Sequence, residues 1–190
     1  MAETVLARGS SALVVIDLQK GITARDVKPR PSSEVIANAS RLAEAFRKGG
    51  MQVFLVRVNP SPPLGLRPET DGPGMSGPFP DGFDEIVPEM GPKEGDVVIT
   101  KRQWGAFYGT ELEMQLRRRG IRTIVLCGIS TNVGVESTAR YAYEAGFSQI
   151  FVEDAMAATS DEEHSFPLRT TFPRMGRIRS TDEVLRALGV

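Results

Sequence analysis

Three stretches of the sequence place polar residues where an α/β protein does its chemistry. Asp17 ends the apolar run SALVVID, with Gln19 two residues later, and Lys101 directly follows the run VVIT. The turn 128–134 follows a third run, RTIVLC, and opens a helical pattern. Ligands of open parallel sheets bind at the carboxyl ends of the strands, so we expect the three stretches to meet in one crevice.

An acid, a base and a helix N-terminus in one crevice would suit proton transfer and the binding of an oxyanion. Burial raises the pKa of a carboxyl group and lowers that of an ammonium group, while their mutual attraction acts in the opposite direction. The N–H groups at a helix N-terminus carry partial positive charge. Ser130, Thr131 and Asn132 in the turn are good N-cap residues, so they either face a ligand or only cap the helix.

Composition excludes several other kinds of chemistry. One cysteine, Cys127, among 190 residues excludes an intramolecular disulfide framework and a zinc site built from several cysteines. The lone histidine, His164, excludes a two-histidine metal site within one subunit. Lys and Arg total 23 against 24 for Asp and Glu, so broad electrostatic capture of nucleic acid or of an anionic membrane is not expected.

The elements that must position these residues alternate between strands and helices. Apolar runs predict strands at 11–17, 52–58, 96–100, 122–127, 149–152 and 177–179. Apolar residues at helical spacing predict helices at 33–48, 110–119, 132–145, 162–170 and 181–188. Strands that alternate with helices of this length predict a parallel sheet with helices on both faces.

The segment 59–95 interrupts this alternation. It holds nine of the 13 prolines and seven of the 19 glycines. Three interpretations are open, namely a long surface excursion, an active-site wall or lid, and a linker between two domains. We expect a single domain over 1–190, because neither flank of the segment could build a closed sheet by itself.

Three motifs resemble the isochorismatase-like superfamily, whose members are also called cysteine hydrolases. The motifs are VVIDLQ, ITKRQWGAF and GISTNVGVESTARYA, and the similarity runs from about Ala12 to Leu188. The resemblance implies a three-layer α/β/α fold around a mainly parallel six-stranded sheet. It also implies a hydrolase that acts on a small molecule and forms a homo-oligomer, and we expect no cofactor.

The resemblance also assigns roles within the motifs. Asp17 matches the acid/base aspartate of the superfamily, and Lys101 matches its lysine. The Ile129–Ser130 peptide bond falls where relatives have a cis bond between two non-proline residues. In the hydrolases this bond directs the next N–H into an oxyanion hole, together with the N–H at the nucleophile position. Here those donors would be Ser130 and Gly134.

The chain departs from the superfamily at the nucleophile. Cysteine members have patterns such as TNVCVEST, whereas this chain has TNVGVEST, with glycine at position 134. Cys127 lies seven residues earlier in a predicted strand, and we expect a buried, inert thiol. The segment NPSPPLG also lacks the Asp and His metal ligands of nicotinamidases. His164 matches a common position that is not catalytic, and we expect a packing or helix-surface role.

Three interpretations of the glycine follow. In the first, Asp17 protonates an isochorismate-like vinyl ether or a related small carboxylated or cyclic substrate, and water attacks without a covalent intermediate. In the second, the chain only binds a ligand. In the third, a nicotinamidase-like or N-carbamoyl amidohydrolase-like enzyme has been inactivated by exchange of Cys for Gly. Isochorismatases tend to read KWRYSAF, whereas Gln103 and Trp104 stand here at the Arg and Tyr positions.

The remaining predictions concern binding and location. Gln19, Trp104, Phe107, Thr131 and Asn132 are candidate substrate-binding residues. Trp104 and Phe107 suit stacking on a planar ligand, or ordinary packing under the long loop. No apolar run approaches the roughly 20 residues that span a bilayer, and the first residues lack a secretion signal. We therefore expect a soluble, cytoplasmic protein.

Overall fold

The computed structural model describes residues 6–61, 66, 68–72 and 78–189. Six strands form one sheet in which every neighbouring pair is parallel. The strand order is β3-β2-β1-β4-β5-β6. The strands are β1 (Ser11–Ile16), β2 (Gln52–Val58), β3 (Val97–Lys101), β4 (Thr123–Ile129), β5 (Ser148–Ala157) and β6 (Arg177–Arg179).

Helices connect the strands and cover the sheet. They are α1 (Lys20–Thr23), α2 (Ser32–Lys48), α3 (Leu112–Arg118), α4 (Glu136–Glu144), α5 (Asp161–Thr170), α6 (Phe172–Met175) and α7 (Thr181–Leu188). A 3-10 turn at Arg8–Ser10 precedes β1, and a π-helical turn at Thr131–Val135, hereafter the π turn, precedes α4. Ser180 and Glu183 form a capping box at the start of α7, which explains why that helix begins where it does.

Each face of the sheet is buried under its own hydrophobic cluster. Leu13 and Val15 of β1 belong to the cluster beneath α2 and α7, whereas Val14 and Ile16 belong to the one beneath α3, α4 and α6. Successive side chains of a strand point to opposite faces, so a strand covered on both sides must be apolar throughout. The predicted three-layer α/β/α fold with a parallel six-stranded sheet is confirmed.

The direction of the strand order reverses between β1 and β4. From β1 the chain builds outward to β2 and β3, and then returns to add β4, β5 and β6 on the other side. Gly128 makes the contact between the two halves possible, because a Cβ at this position would lie 2.0 Å from the Ile16 carbonyl oxygen. The carboxyl ends of β1 and β4 therefore flank the crevice in which open sheets bind ligands.

Two predicted elements differ from the structure. The predicted fifth strand ends at residue 152, but β5 continues to Ala157, because a register shift between Leu126 and Gly128 lets pairing resume at Gly128 and Met156. The predicted helix 132–145 is divided into the π turn and α4. No helix in the described ranges is both long and apolar enough to cross a membrane.

The described part of the segment 59–95 packs against the body of the protein. Phe83, Val87 and Met90 are buried in the cluster beneath α2. The N–H of Val87 donates to the Leu18 carbonyl, and Gln19 forms an isolated bridge with Ile86. Strands from both sides of the segment also pair in one sheet, as β2 does with β3. These contacts favour a packed excursion over a linker. Residues 62–65, 67 and 73–77 lie outside the described residues.

Candidate active site

Asp17 directly follows β1 and has an unusual backbone conformation. Its φ is +54°, the only positive φ of a non-glycine residue in the described ranges. Its N–H donates to the Val56 carbonyl at 2.9 Å, and the residue is only 5% exposed. An L-residue in this region stores backbone strain that the surrounding structure must sustain, and such residues cluster at functional sites.

Lys101 reaches Asp17 from a strand that is not its neighbour. β2 lies between β1 and β3, so the two backbones are about 10 Å apart. The long Lys101 side chain crosses the end of β2 and places Nζ 2.8 Å from Asp17 Oδ2. The same Nζ donates to the Trp104 carbonyl at 2.6 Å, and Lys101 is 1% exposed. The predicted convergence of the acid and the base is thus observed.

Only one of the two oxygens of the buried Asp17 carboxyl group has a polar partner among the described residues. Its Oδ1 is buried and has no hydrogen-bond partner among the described residues. Burial raises the pKa of Asp17 above its usual value, although the Lys101 charge and hydrogen bond and the Arg25 charge act to lower it. Such a carboxyl group can hold a proton and deliver it to a substrate, which is the role of a general acid.

Gly134 lies in the π turn, with its missing side chain directed at the Asp17–Lys101 pair. A Cβ at this position would lie 3.1 Å from Asp17 Oδ2, 3.4 Å from Lys101 Nζ and 2.9 Å from Ile16 Cγ2. The position that the resemblance assigns to the nucleophile therefore does face the acid and the base. The last distance is shorter than real Cβ atoms show, so a side chain at position 134 would require Ile16 to shift.

The backbone between β4 and the π turn has the form that the resemblance implied. The Ile129–Ser130 peptide bond is cis, and Ser130 is extended. The Ser130 carbonyl accepts hydrogen bonds from the N–H groups of Val133 and Val135 at 3.2 and 3.1 Å. The side chain of Ser130 makes no cap hydrogen bond, so the capping role suggested by its position is wrong. The N–H groups of a first helical turn lack partners within the helix.

Cys127 has the inert environment that was predicted for it. The residue is fully buried in β4. Burial raises the pKa of its thiol to about 12, with a smaller contribution from Asp154. The thiolate is the reactive form of cysteine, so this thiol cannot serve as a nucleophile at neutral pH.

Three candidate substrate-binding residues are buried and contact other parts of the chain. The Gln19 amide is fully buried and donates to the Val58 and Phe83 carbonyls at 2.9 and 3.0 Å, while its Oε1 accepts from the Val58 N–H. Phe107 is buried and stacks on Tyr141 with 4.7 Å between the ring centroids. Thr131 is also fully buried. These contacts favour structural roles for the three side chains, and their contact with a substrate stays a prediction.

The other two candidates are placed beside the site. The Trp104 side chain is 62% exposed, so it does not pack under the loop, and stacking on a ligand stays a prediction. Asn132 lines an open cavity of about 430 Å³ together with residues at the start of α5, among them Ser160 and Phe166. Asn132 Oδ1 is buried without a partner among the described residues.

Two residues that the sequence did not single out help to build the site. Thr138 is buried on α4, donates to the Gly134 carbonyl at 2.7 Å, and accepts from the Ala106 N–H at 3.0 Å. Thr138 stands four residues after Gly134, and this helical spacing could have indicated that the two residues are neighbours. The exposed Arg25 contributes its charge near Asp17. Within the described ranges, no three His, Cys, Asp or Glu side chains lie together as metal ligands would.

Known proteins share this architecture over nearly the whole chain. The chain is 53% identical over 178 residues to an uncharacterized isochorismatase family protein of Bacillus subtilis, with 92% of each chain covered. The structure of an isochorismatase family protein from Burkholderia thailandensis is similar, with a TM-score of 0.94, 40% identity and complete coverage of both chains.

Relatives with assigned activities are more distant. The chain is 30% identical over 181 residues to a probable isochorismatase of Pseudomonas chlororaphis, with 92% of this chain and 84% of the relative covered. It is 31% identical over 178 residues to a ureidoacrylate amidohydrolase of Variovorax paradoxus, with 79% and 69% covered. A family model described as the isochorismatase domain matches residues 11–183. The chain therefore belongs to the isochorismatase family of hydrolases.

Proposed function

We propose that this protein hydrolyses a small carboxylated or cyclic molecule with an isochorismate-like vinyl ether bond, and that Asp17 supplies the proton without a cysteine nucleophile. The observation that carries the proposal is the environment of Gly134. The nucleophile position holds no side chain, faces the Asp17–Lys101 pair, and would bring a Cβ within 2.9 Å of Ile16. The acid/base pair is present, and position 134 carries no thiol.

In the proposed reaction Asp17 transfers the proton and Lys101 supplies the opposite charge. Protonated Asp17 delivers its proton to the terminal vinyl carbon, which becomes a methyl group, and the neighbouring carbon becomes an oxocarbenium ion. Water adds to that carbon and returns a proton to the Asp17 carboxylate. In the resulting hemiketal the C–O bond to the leaving group breaks, the hydroxyl group loses its proton to form the ketone, and the leaving oxygen takes up a proton to form the alcohol. Lys101 balances the charge of Asp17 while its carboxyl group is ionised.

The backbone donors predicted at Ser130 and Gly134 would bind the oxygen atoms of the substrate. Both residues lie at the carboxyl end of β4, beside Asp17 at the point where the strand order reverses. N–H groups at such a position stabilise negative charge without reorganisation. In this reaction they would hold the substrate carboxylate, because no tetrahedral oxyanion derived from an amide is formed.

One of the two named relatives supports vinyl ether cleavage, and neither fixes the substrate. One relative is named a probable isochorismatase, and another is named a ureidoacrylate amidohydrolase. The region around Gln103 and Trp104 departs from the isochorismatase pattern, and the Gln103 side chain donates to the Leu66 carbonyl in the long segment. We therefore propose a vinyl ether substrate whose outer part differs from that of isochorismate.

We further propose that the protein acts as a cytoplasmic homo-oligomer. Its single cysteine is buried and unpaired, which suits a reducing compartment. Trp104, Tyr108 and Tyr143 are 62%, 61% and 52% exposed and offer apolar surface to another subunit. Analytical ultracentrifugation tests the assembly, and a single species of the 20.7 kDa monomer at micromolar concentration would contradict it.

The test of the function is a substrate panel of vinyl ethers, including isochorismate, together with amides and carbamoyl compounds. We expect turnover of a vinyl ether that Asp17→Asn abolishes, and no turnover of amides. Asp84→Asn is the matched control, because Asp84 is a carboxylate outside the site. Undiminished turnover by Asp17→Asn would refute the mechanism. Thermal stabilisation by a panel compound without any product would favour the ligand-binding alternative.

A further inference from the structure

His164 lies outside the Asp17–Lys101 pair but contacts the turn that serves it. It is located on α5, is 5% exposed, and places Nδ1 2.9 Å from Thr131 Oγ1. Thr131 is the first residue of the π turn and is fully buried. The two residues are 33 positions apart in sequence, so the hydrogen bond ties α5 to the turn.

The hydrogen bond fixes one end of the π turn, and Thr138 fixes the other. Thr131 follows Ser130 directly, and Thr138 holds the Gly134 carbonyl at 2.7 Å. Ser130 offers no side-chain cap bond that could hold the start of the turn. Each of the two proposed oxyanion donors thus adjoins a buried side-chain hydrogen bond, Ser130 next to that of Thr131 and Gly134 at that of Thr138.

The environment keeps the imidazole neutral, as such a hydrogen bond between buried groups requires. Burial lowers the pKa of His164 to about 4, the Arg30 charge acts in the same direction, and the Asp161 charge opposes it. The Arg30 guanidinium itself is held by the Glu153 and Met156 carbonyls. At neutral pH the ring therefore presents one N–H and one bare nitrogen, and can pair with a hydroxyl group without a buried charge.

We propose that His164 is a positioning residue for the reaction, which acts through Thr131 to hold the Ser130 and Gly134 N–H groups in their productive geometry. The inference rests on the proposed function of these N–H groups. It gives a role to a position that the sequence alone assigned to packing. A shift of about 1 Å in a preorganised site can cost about 100-fold in rate, so loss of the hydrogen bond should slow catalysis even where the fold is kept.

The test removes the hydrogen bond from each side. His164→Leu and Thr131→Val should each lower kcat/KM by about 10- to 100-fold, because the N–H groups that hold the substrate carboxylate are displaced. The double variant should be no slower than the slower single variant, because both changes break the same hydrogen bond. His164→Asn, which keeps a polar atom near the Nδ1 position, should recover most of kcat/KM. A purely structural role would lower the melting temperature and leave kcat/KM at 25 °C unchanged, which would overturn the proposal.

A second measurement does not depend on activity. Hydrogen exchange of the Val133 and Val135 amides, which donate to the Ser130 carbonyl, should accelerate by about tenfold in His164→Leu and Thr131→Val but not in His164→Asn. The Val125 amide in the central sheet is the internal control and should not change. Unchanged exchange at Val133 and Val135 would overturn the proposal. Full activity of Asp17→Asn would refute the proposed function instead, and the exchange result would still decide the role of His164.

Discussion

Strand β3 has a buried ion pair at each end, and the two pairs are built differently. At its amino end, Asp96 accepts from Arg47 Nε at 3.1 Å, from Arg47 Nη2 at 2.7 Å and from the Lys93 N–H at 2.8 Å. At its carboxyl end, Lys101 donates to Asp17 Oδ2 at 2.8 Å while Asp17 Oδ1 has no partner among the described residues. Both aspartate side chains are almost fully buried, at 2% and 7% exposure.

The difference in hydrogen bonding suits Asp96 to a role in stability and Asp17 to a role in the proposed reaction. Asp96 has both carboxylate oxygens satisfied, and its ion pair with Arg47 fastens β3 to α2. Asp17 is left partly unsatisfied, and burial raises its pKa. A buried carboxyl group with an unused oxygen is costly to a fold, and such costs are sustained where a group must react. The carboxylate at the end of β3 that belongs to the proposed site is thus the less completely hydrogen-bonded one.

The largest expected effect comes from exchanging the two carboxylates in turn. Asp17→Asn should lower kcat/KM for the vinyl ether substrate by about 10²- to 10⁴-fold, since it removes the general acid. Asp96→Asn should leave kcat/KM almost unchanged and lower the free energy of unfolding by about 3 kcal/mol, because Arg47 loses its buried partner. Steady-state kinetics and urea denaturation measure the two effects. The comparison fails if both variants lose activity to the same extent.

The charge of Lys101 should control the pH range in which Asp17 works. A general acid acts while protonated, so kcat/KM should be highest below the pKa of Asp17 and fall as pH rises through it. The Lys101 charge lowers that pKa. In Lys101→Met the pKa should rise further, and the falling limb of the residual activity should move up by about one to three pH units. If the falling limb of the pH profile stays in place or moves to lower pH in Lys101→Met, the proposed effect of Lys101 on Asp17 is contradicted.

Position 134 should resist restoration of the thiol. Gly134→Cys places a Cβ 2.9 Å from Ile16 Cγ2, so we expect a loss of about 1–3 kcal/mol in the free energy of unfolding and no amidase activity. Gly134→Ala is the matched control, because it adds the same Cβ without sulfur and should lose similar stability. A stable Gly134→Cys variant with amidase activity would instead indicate an intact thiol site that had lost its cysteine.

The smallest expected effect concerns the thiol itself. Cys127 is fully buried, and its pKa is raised to about 12, so iodoacetamide should not label the folded protein and should not reduce its activity. Unfolding in urea should expose Cys127 to complete labelling, as mass spectrometry would show. Cys127→Ser adds a second check and should keep kcat/KM close to that of the parent. Inactivation of the folded protein by iodoacetamide would indicate that the Cys127 thiol takes part in the reaction.

The fold could be predicted from the sequence because each strand is marked by its own short run of apolar residues. Continuous apolar runs mark strands that are buried on both faces, and Asp17 and Lys101 stand directly after two of them. The positions of these residues at strand ends were sufficient to predict that they meet. The extension of β5 was missed, because Glu153 and Asp154 interrupt the apolar pattern while the backbone continues to pair with β4.

The partners of buried polar side chains could not be predicted in the same way. Gln19 follows a site residue and has the chemistry of a ligand contact, yet its amide bonds to backbone at Val58 and Phe83, which are 39 and 64 residues away. The pairing of Thr131 with His164 is similarly distant. Such bonds depend on how separate elements pack, and neither composition nor periodicity encodes them. Strand ends therefore nominate candidates, but only three-dimensional contacts assign their roles.

The central claim is that Asp17 transfers a proton to a vinyl carbon in the step that limits kcat/KM. The most direct test is a comparison of kcat/KM for the vinyl ether substrate in H₂O and in D₂O, at matched positions on the pH plateau. The account predicts clearly slower turnover in D₂O, because the transferred proton is in flight at the transition state. Equal values in the two solvents would contradict it.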